Sequence, residues 1–249
     1  MPITDFMKRT VIGIHSAKEA LKIHPQSVTE IWLRSDYKKI SDLAPIAQWA
    51  EKNRVKLLSK DDGALNKIAP SHQGVAVFLK DAPYIDLEDL AASPDEKLVV
   101  LALDEITDPH NVGALLRTAW LLGVKALLVP EHRSSHMTPS VAKVASGGAE
   151  HVPLLVSSNL ISDLKYLKDK GFWIFGLAGE AKSTLLNTQI HEKIVWVVGS
   201  EEKGLRSSVR GVCDELVKIP QTSPEASFNA SVAASIALFE TFRRHQQGQ

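Results

Sequence analysis

Beyond residue 97 the chain carries six short, almost uninterrupted apolar runs, at 98–103, 126–129, 152–156, 173–177, 194–198 and 216–219. A strand with one face in water alternates apolar and polar residues, whereas a continuous run needs cover on both faces. Helix-like segments separate most of the runs. The pattern therefore predicts an α/β fold in which helices flank a parallel sheet. Ligands of such sheets bind beyond the C-terminal strand ends, so the turns after these runs are where function is to be sought.

The front of the chain has a different texture. Residues 7–80 read as a small α/β unit, with helices at 15–21 and about 40–52 and strands at 28–33, 55–58 and 75–79. Residues 81–96 hold six acids, no base, and both Pro83 and Pro94. This stretch reads as a linker with a short helix at 87–91. The expected organisation is a front domain at 1–80, a linker at 81–96 and a larger domain at 97–249.

Composition removes several classes. Net charge is zero, which argues against promiscuous nucleic-acid binding, but residues 1–80 carry 13 Lys/Arg against 8 Asp/Glu, a basic front that suits either phosphates or plain solvent. Cys213 is the single cysteine, so no intrachain disulfide forms, and its apolar neighbours Val212 and Leu216 favour a structural thiol over a nucleophile. No apolar stretch approaches the roughly 20 residues that span a bilayer, so the expected location is cytoplasmic, away from membranes. His132 and His136 are four apart, but Pro130, Ser134 and Ser135 oppose a helix there, and no metal site is expected.

Three strand-end turns carry polar side chains. The first, 104–111, enters a helix expected at 112–122. Asn111 is placed to cap it, Gly113 allows close backbone approach, and Arg117 lies one turn further on the same face. Arg117 stands in an otherwise apolar helix, either as a surface or ion-paired residue or as a phosphate ligand. The second turn, 199–206, brackets Glu201 and Glu202 with Gly199 and Gly204. It matches neither the P-loop nor the dinucleotide fingerprint. The third, 227–234, opens the last helix with Ser227, Asn229 and Ser231, each of a type that caps helices.

Together these turns resemble the SpoU (TrmH-type) family of RNA ribose 2′-O-methyltransferases. Its first motif is matched by Asp104, Asp108, Pro109, Asn111, Gly113, Arg117 and Ala119, and its second by Gly199, Glu201 and Gly204. The third is matched by Ile219-Pro220 and then Ser227, Asn229, Ser231 and Ala233. The front of the chain, through residues 12–21 and 72–74, is similar to the ribosomal-protein-like RNA-binding domain of the bacterial 23S rRNA guanosine branch. Three departures are Gln221–Glu225 where Met and Gly are usual, Phe228 for Leu, and Glu202 for Gly.

The resemblance implies a SPOUT-type parallel α/β sheet with a C-terminal trefoil knot, a small N-terminal α/β domain, and a homodimer. It implies methyl transfer from S-adenosylmethionine to a ribose 2′-hydroxyl of 23S rRNA, with tRNA as the alternative substrate. A non-catalytic RNA-binding or ribosome-assembly protein is the alternative of another class. By resemblance the active site holds Asn111, Arg117, Glu201, Ser227 and Asn229, with donor contacts, mostly backbone, from Ala178, Gly179, Val198, Gly199, Ile219, Ser227 and Phe228. The apolar side of the last helix serves either the dimer or packing within the chain.

Overall fold

A computed structural model describes residues 9–80, 82–132, 137–223 and 225–247. By compactness the chain divides into two units: Met1–Pro83 with Met137–His151, and Tyr84–His136 with Val152–Gln249. The segment 137–151 thus leaves the second unit's sheet and returns to it.

The first unit is built on β1 (Arg9–Ile12), β2 (Val28–Arg34), β3 (Lys56–Lys60) and β4 (Val75–Leu79), in the order β1-β4-β2-β3. β4 pairs antiparallel with β1 and β2, and β2 pairs parallel with β3. Alternation along the strands sends Val11, Ile31, Leu33, Val75 and Val77 to one face, where they form a core with residues of the helices Ile14–Ile23 and Ala44–Lys52. The second helix starts at Ala44, later than expected, because Pro45 fits only the first helical turn; Tyr37–Lys39 form a separate 3-10 turn. Arg9 donates through Nη1 to Glu150 Oε1 at 2.7 Å, with a second bond between Nη2 and Oε2. The Glu150 side chain is fully buried, so this bidentate pair satisfies a carboxylate that would otherwise be costly to bury.

The second unit holds β5 (Leu98–Asp104), β6 (Ala126–Pro130), β7 (Leu154–Ser157), β8 (Trp173–Leu177), β9 (Ser183–Thr184), β10 (Lys193–Gly199) and β11 (Glu215–Lys218). The sheet order is β7-β6-β5-β10-β8-β11-β9, and every neighbouring pair is parallel. The six apolar runs are its six longer strands. The third is shorter than expected and begins after Pro153, which has no N–H for a ladder. Both faces are covered. On one, Val100, Ala102, Leu128, Ile174, Val195 and Val197 share a core with Leu160, Leu164 and Leu167 of the helix Leu160–Asp169. On the other, Trp196 stacks on Phe175 and its Nε1 donates to Thr241 Oγ1 at 2.9 Å on the last helix, Ala230–Gln247.

Cys213 is half-buried. Burial first, then the charge of Asp214, pushes its thiol up to about 11, as expected of a structural rather than a reactive cysteine. Gly176 lies beneath it: a Cβ there would come within 2.9 Å of Cys213 Sγ and 2.7 Å of Leu216 Cδ2.

The last helix is fastened by charge. Arg244 donates to the carbonyls of Leu185 and Leu186 at 2.9 Å each and to that of Thr188, while its Nε reaches Glu240 Oε1 at 2.6 Å. Arg243 first, then Arg244, lowers the Glu240 carboxyl to about 2. A depressed carboxyl stabilises the fold above its unfolded value near 4.5, and that contribution disappears as pH falls toward the folded value. Acidification from pH 5 to pH 2 should therefore remove roughly 1–2 kcal/mol, allowing for solvent screening. Glu240→Gln should flatten this part of a chemical-denaturation pH profile, and an unchanged profile would rule the linkage out.

Candidate active site

Four adjacent strands, β5, β10, β8 and β11, end on the same side of the sheet, and their following turns build the site. β5 ends at Asp104, whose buried carboxylate clamps the second turn to the first. It accepts from the Arg206 backbone N–H at 2.8 Å and from Arg206 Nε at 2.6 Å. Glu105 follows with φ 60°, a left-handed conformation uncommon outside glycine.

The first helix of the site is Pro109–Leu121, and its cap is Asp108, not Asn111 as expected. Asp108 Oδ1 accepts from the His110 N–H at 2.9 Å, and Pro109 occupies the first helical position, where its missing N–H costs nothing. This releases the Asn111 side chain from capping. Asn111 Nδ2 donates to Glu201 Oε1 at 2.7 Å, and Asn111 Oδ1 accepts from Asn229 Nδ2 at 3.0 Å. Asn229 Nδ2 also donates to Glu201 Oε1.

Asn229 is itself held in one orientation. Its Oδ1 accepts from the N–H groups of Ser231 and Val232 at 2.9 and 3.3 Å and from Ser231 Oγ at 2.6 Å. Of the three small polar residues in this run, Asn229 is therefore the helix cap. Ser231 sits inside the helix, and Ser227 faces a cleft. One carboxylate and two carboxamides thus join the turns after β5, β10 and β11.

The turn after β10 is tight because the chain folds straight back. Ser200 and Gly204 form an isolated bridge, with the Gly204 N–H donating to the Ser200 carbonyl at 2.8 Å. A Cβ on Gly199 would lie 2.2 Å from the Gly204 carbonyl carbon, so no larger residue fits.

Two hollows flank Glu201. The first, about 210 Å³, opens between the ends of β8, β10 and β11. All seven residues expected to contact the donor line it: Ala178, Gly179, Val198, Gly199, Ile219, Ser227 and Phe228. Nothing lies within 4 Å of where a Cβ on Gly179 would stand, so the backbone there is bare toward the space around it. Val198, Ile219 and Phe228 supply apolar surface, and exposed backbone supplies donors and acceptors, a combination that suits a heteroaromatic base on a ribose. Glu180 and Arg210, ion-paired with each other, also line this hollow; its own backbone N–H, then Arg210, holds the Glu180 carboxyl below the usual range. The second hollow, about 420 Å³, is lined by Asp108, Asn111, Lys203 and neighbours. Glu201 borders both.

Arg117 stands apart. It is exposed, lines neither of these hollows, and makes no ion pair or hydrogen bond among the described residues. Arg206 and Arg210 were not anticipated from sequence, since their acidic partners, Asp104 and Glu180, lie 102 and 30 residues away. Among the described residues no group of acids, cysteines and histidines could hold a metal; His132 is an exposed bend residue, and His136 lies outside the described residues.

Residues 98–239 match the model of the SpoU rRNA Methylase family, and residues 10–85 match the one described as RNA 2′-O ribose methyltransferase substrate binding. The 23S rRNA (guanosine-2′-O-)-methyltransferase RlmB of Nitrosomonas europaea is 39% identical over 242 residues, covering 95% of this chain and 92% of its own. The protein of the same name from Pseudomonas putida is 36% identical over 240 residues, covering 95% and 96%. Among solved structures, the SpoU methyltransferase AviRb from Streptomyces viridochromogenes, in complex with AdoMet, superposes with a TM-score of 0.82 at 20% identity, covering 98% of this chain and 93% of that one.

Proposed function

Because this chain belongs to the SpoU rRNA Methylase family, we propose that it transfers the methyl group of S-adenosylmethionine to a ribose 2′-hydroxyl of a guanosine in 23S rRNA. The observation that carries this reading is the convergence of Asn111, Glu201 and Asn229 beside a cleft lined by every expected donor contact. Residues 1–80 bind the RNA, 81–96 link, and 97–249 catalyse. The C-terminal strands thread as a trefoil knot of the SPOUT type. In support, β10 lies between β5 and β8 although it follows both in the chain, and β11 returns to the far side of β8.

The donor supplies an activated methyl group on a sulfonium, so the chemistry left to the protein is alignment and proton removal. Ala178, Gly179, Val198, Gly199, Ile219, Ser227 and Phe228 hold the donor in the first hollow. Asn111, Glu201 and Asn229 fix the wall between this hollow and the second one, where the ribose sits. The 2′-oxygen must approach the methyl carbon in line with the departing sulfur, and a rigid wall keeps both fragments in that geometry.

Arg117 anchors an RNA phosphate and stabilises the developing charge on the 2′-oxygen. A guanidinium stays protonated, so the proton passes to a phosphate oxygen or water rather than to Arg117. Its position outside both hollows fits a homodimer in which a second copy presents it. The helices Pro109–Leu121 and Ala230–Gln247 touch through Thr118 Oγ1 and Ser235 Oγ at 3.2 Å, and they expose Leu121, Val232 and Phe239. Arg117→Lys should slow methyl transfer by about tenfold or more while donor affinity is unchanged, because an ammonium cannot form the bidentate contact. A near-normal rate and pH profile would remove that role.

No helix among the described residues is long and apolar enough to cross a membrane. An rRNA substrate supports a cytoplasmic site of action. The deciding experiment maps 2′-O-methylation in rRNA and tRNA with the gene present and deleted. One guanosine mark should vanish from 23S rRNA. A mark lost only from tRNA would overturn the rRNA assignment, and absence of donor binding in calorimetry would favour a non-catalytic RNA-binding protein.

A further inference from the structure

The first unit's sheet is covered unequally. One face lies against two helices; on the other, among the described residues, Leu65, Ile68 and Ala69 pack with Ile12 and Ala76. Strand alternation sends Trp32 of β2 and Phe78 of β4 to this thinly covered face, where both stay half-buried. Their ring centroids are 5.0 Å apart, tilted by 55°. Lys60 Nζ lies 4.5 Å from the Trp32 ring centroid. At the other end, a hollow of about 250 Å³ opens on Phe78, between Thr10, Thr29 and the exposed Lys80.

Neither Lys60 nor Lys80 forms a close ion pair among the described residues; Lys60 acts on Glu30 only at a distance, after the Lys56 and Trp32 hydrogen bonds, in holding that carboxyl below the usual range. Glu30, beside the rings, is ion-paired with Lys56 at 2.7 Å and accepts from Trp32 Nε1. An aromatic pair in an ordinary core is closed by apolar side chains. Here the Lys60 ammonium lies over one ring and Lys80 lines the hollow beside the other, in a segment with 13 basic and 8 acidic residues.

We infer that this face is a stacking platform for a single-stranded stretch of the RNA substrate, an inference that rests on the RNA methyltransferase reading above. Unpaired bases stack on aromatic faces regardless of sequence, while flanking lysines follow the phosphates. Duplex RNA keeps its bases stacked on each other and offers the rings nothing. The hollow beside Phe78 receives one base, and Lys80 meets its phosphate. A second base displaces Lys60 from the Trp32 ring and frees that ammonium for the next phosphate.

The test uses the full-length protein and a fluorescently labelled single-stranded RNA oligonucleotide, read by anisotropy across a salt series. The double variant Lys60→Glu with Lys80→Glu should weaken binding about tenfold or more and flatten the salt dependence. Phe78→Ala should weaken it about fivefold or more, with less effect of salt. Donor affinity by calorimetry should stay at the wild-type value, and KM for RNA should rise while kcat holds. Wild-type affinity and salt slope in the charge-reversed double variant would overturn the platform, even if Phe78→Ala fails to fold. If instead the wild-type protein binds this RNA but neither binds donor nor methylates, the enzyme reading fails, and the platform is judged by the binding series alone.

Discussion

Glu201→Ala should lower methyl transfer by about 100-fold while the protein stays folded. Glu201 Oε1 accepts from Asn111 Nδ2 at 2.7 Å and from Asn229 Nδ2, and it is the only acceptor that both amides share among the described residues. Without it, two carboxamides lose their common partner at the wall between the hollows. Misplacement of reacting groups by about 1 Å is enough to cost two orders of magnitude in rate. Stability should fall by only about 1 kcal/mol, because Glu201 is exposed and water can take over its hydrogen bonds. Glu201→Gln keeps an oxygen acceptor and should lose less, about tenfold, once the charge-assisted part is gone. Single-turnover transfer at saturating donor separates these outcomes. Turnover near wild type in the alanine variant would show that the network does not position the reactants.

Gly199→Ala should be the most damaging small substitution in the second unit. A methyl group there would lie 2.2 Å from the Gly204 carbonyl carbon, 2.3 Å from its oxygen and 2.4 Å from the Leu205 nitrogen. All three are backbone atoms, so a rotamer change cannot relieve the overlap and the turn must open. That turn borders both hollows, and Leu205 behind it belongs to the buried core. Overpacking of this kind costs about 3 kcal/mol, equivalent to a fall of roughly 6–12 °C in Tm for a chain of this length. Donor affinity should drop beyond calorimetric detection. Gly204→Ala is the informative contrast. Its φ of 61° strains a side chain, but only the tip of Arg210 lies within 4.0 Å of the added Cβ, so its loss should be milder. Wild-type Tm and donor affinity in Gly199→Ala would refute the steric account.

The six longer strands of the second unit are legible because their burial on both faces is written as continuous apolar runs, whereas the two-residue edge strand Ser183–Thr184 has none. Residues 173–177 and the short helix at 87–91 coincide with Trp173–Leu177 and Leu87–Ala91. β1 was missed because Arg9-Thr10-Val11-Ile12 is a four-residue edge strand with no run to mark it. Asn111 was misread as a cap because Asn and Asp both cap well; Pro109 at the first helical position was the overlooked sign that Asp108 came before it. The polar character of the three turns was visible in the residues, but the donor contacts came from family resemblance. Arg206 and Arg210 illustrate the limit. Each is one basic residue among many until the fold brings Asp104 or Glu180 to it. Sheet order was equally hidden, since apolar runs say which segments are strands and nothing about their neighbours.

That order constrains how the protein comes into being. β10 occupies the gap between β5 and β8, yet it leaves the ribosome after both. A nascent chain ending before residue 193 has β7, β6 and β5 with no strand to join them to β8, and β11, which joins β8 to β9, comes later still. The catalytic unit therefore cannot consolidate progressively from its N-terminal end; it closes late, around a strand inserted between neighbours already made. Pairings over such long sequence separations form slowly and leave apolar edges exposed meanwhile. Newly made chains of this protein should pass through a window of aggregation risk that ends only when β10 and then β11 are in place, and a translation product that stops before them cannot form the hollow between the ends of β8, β10 and β11.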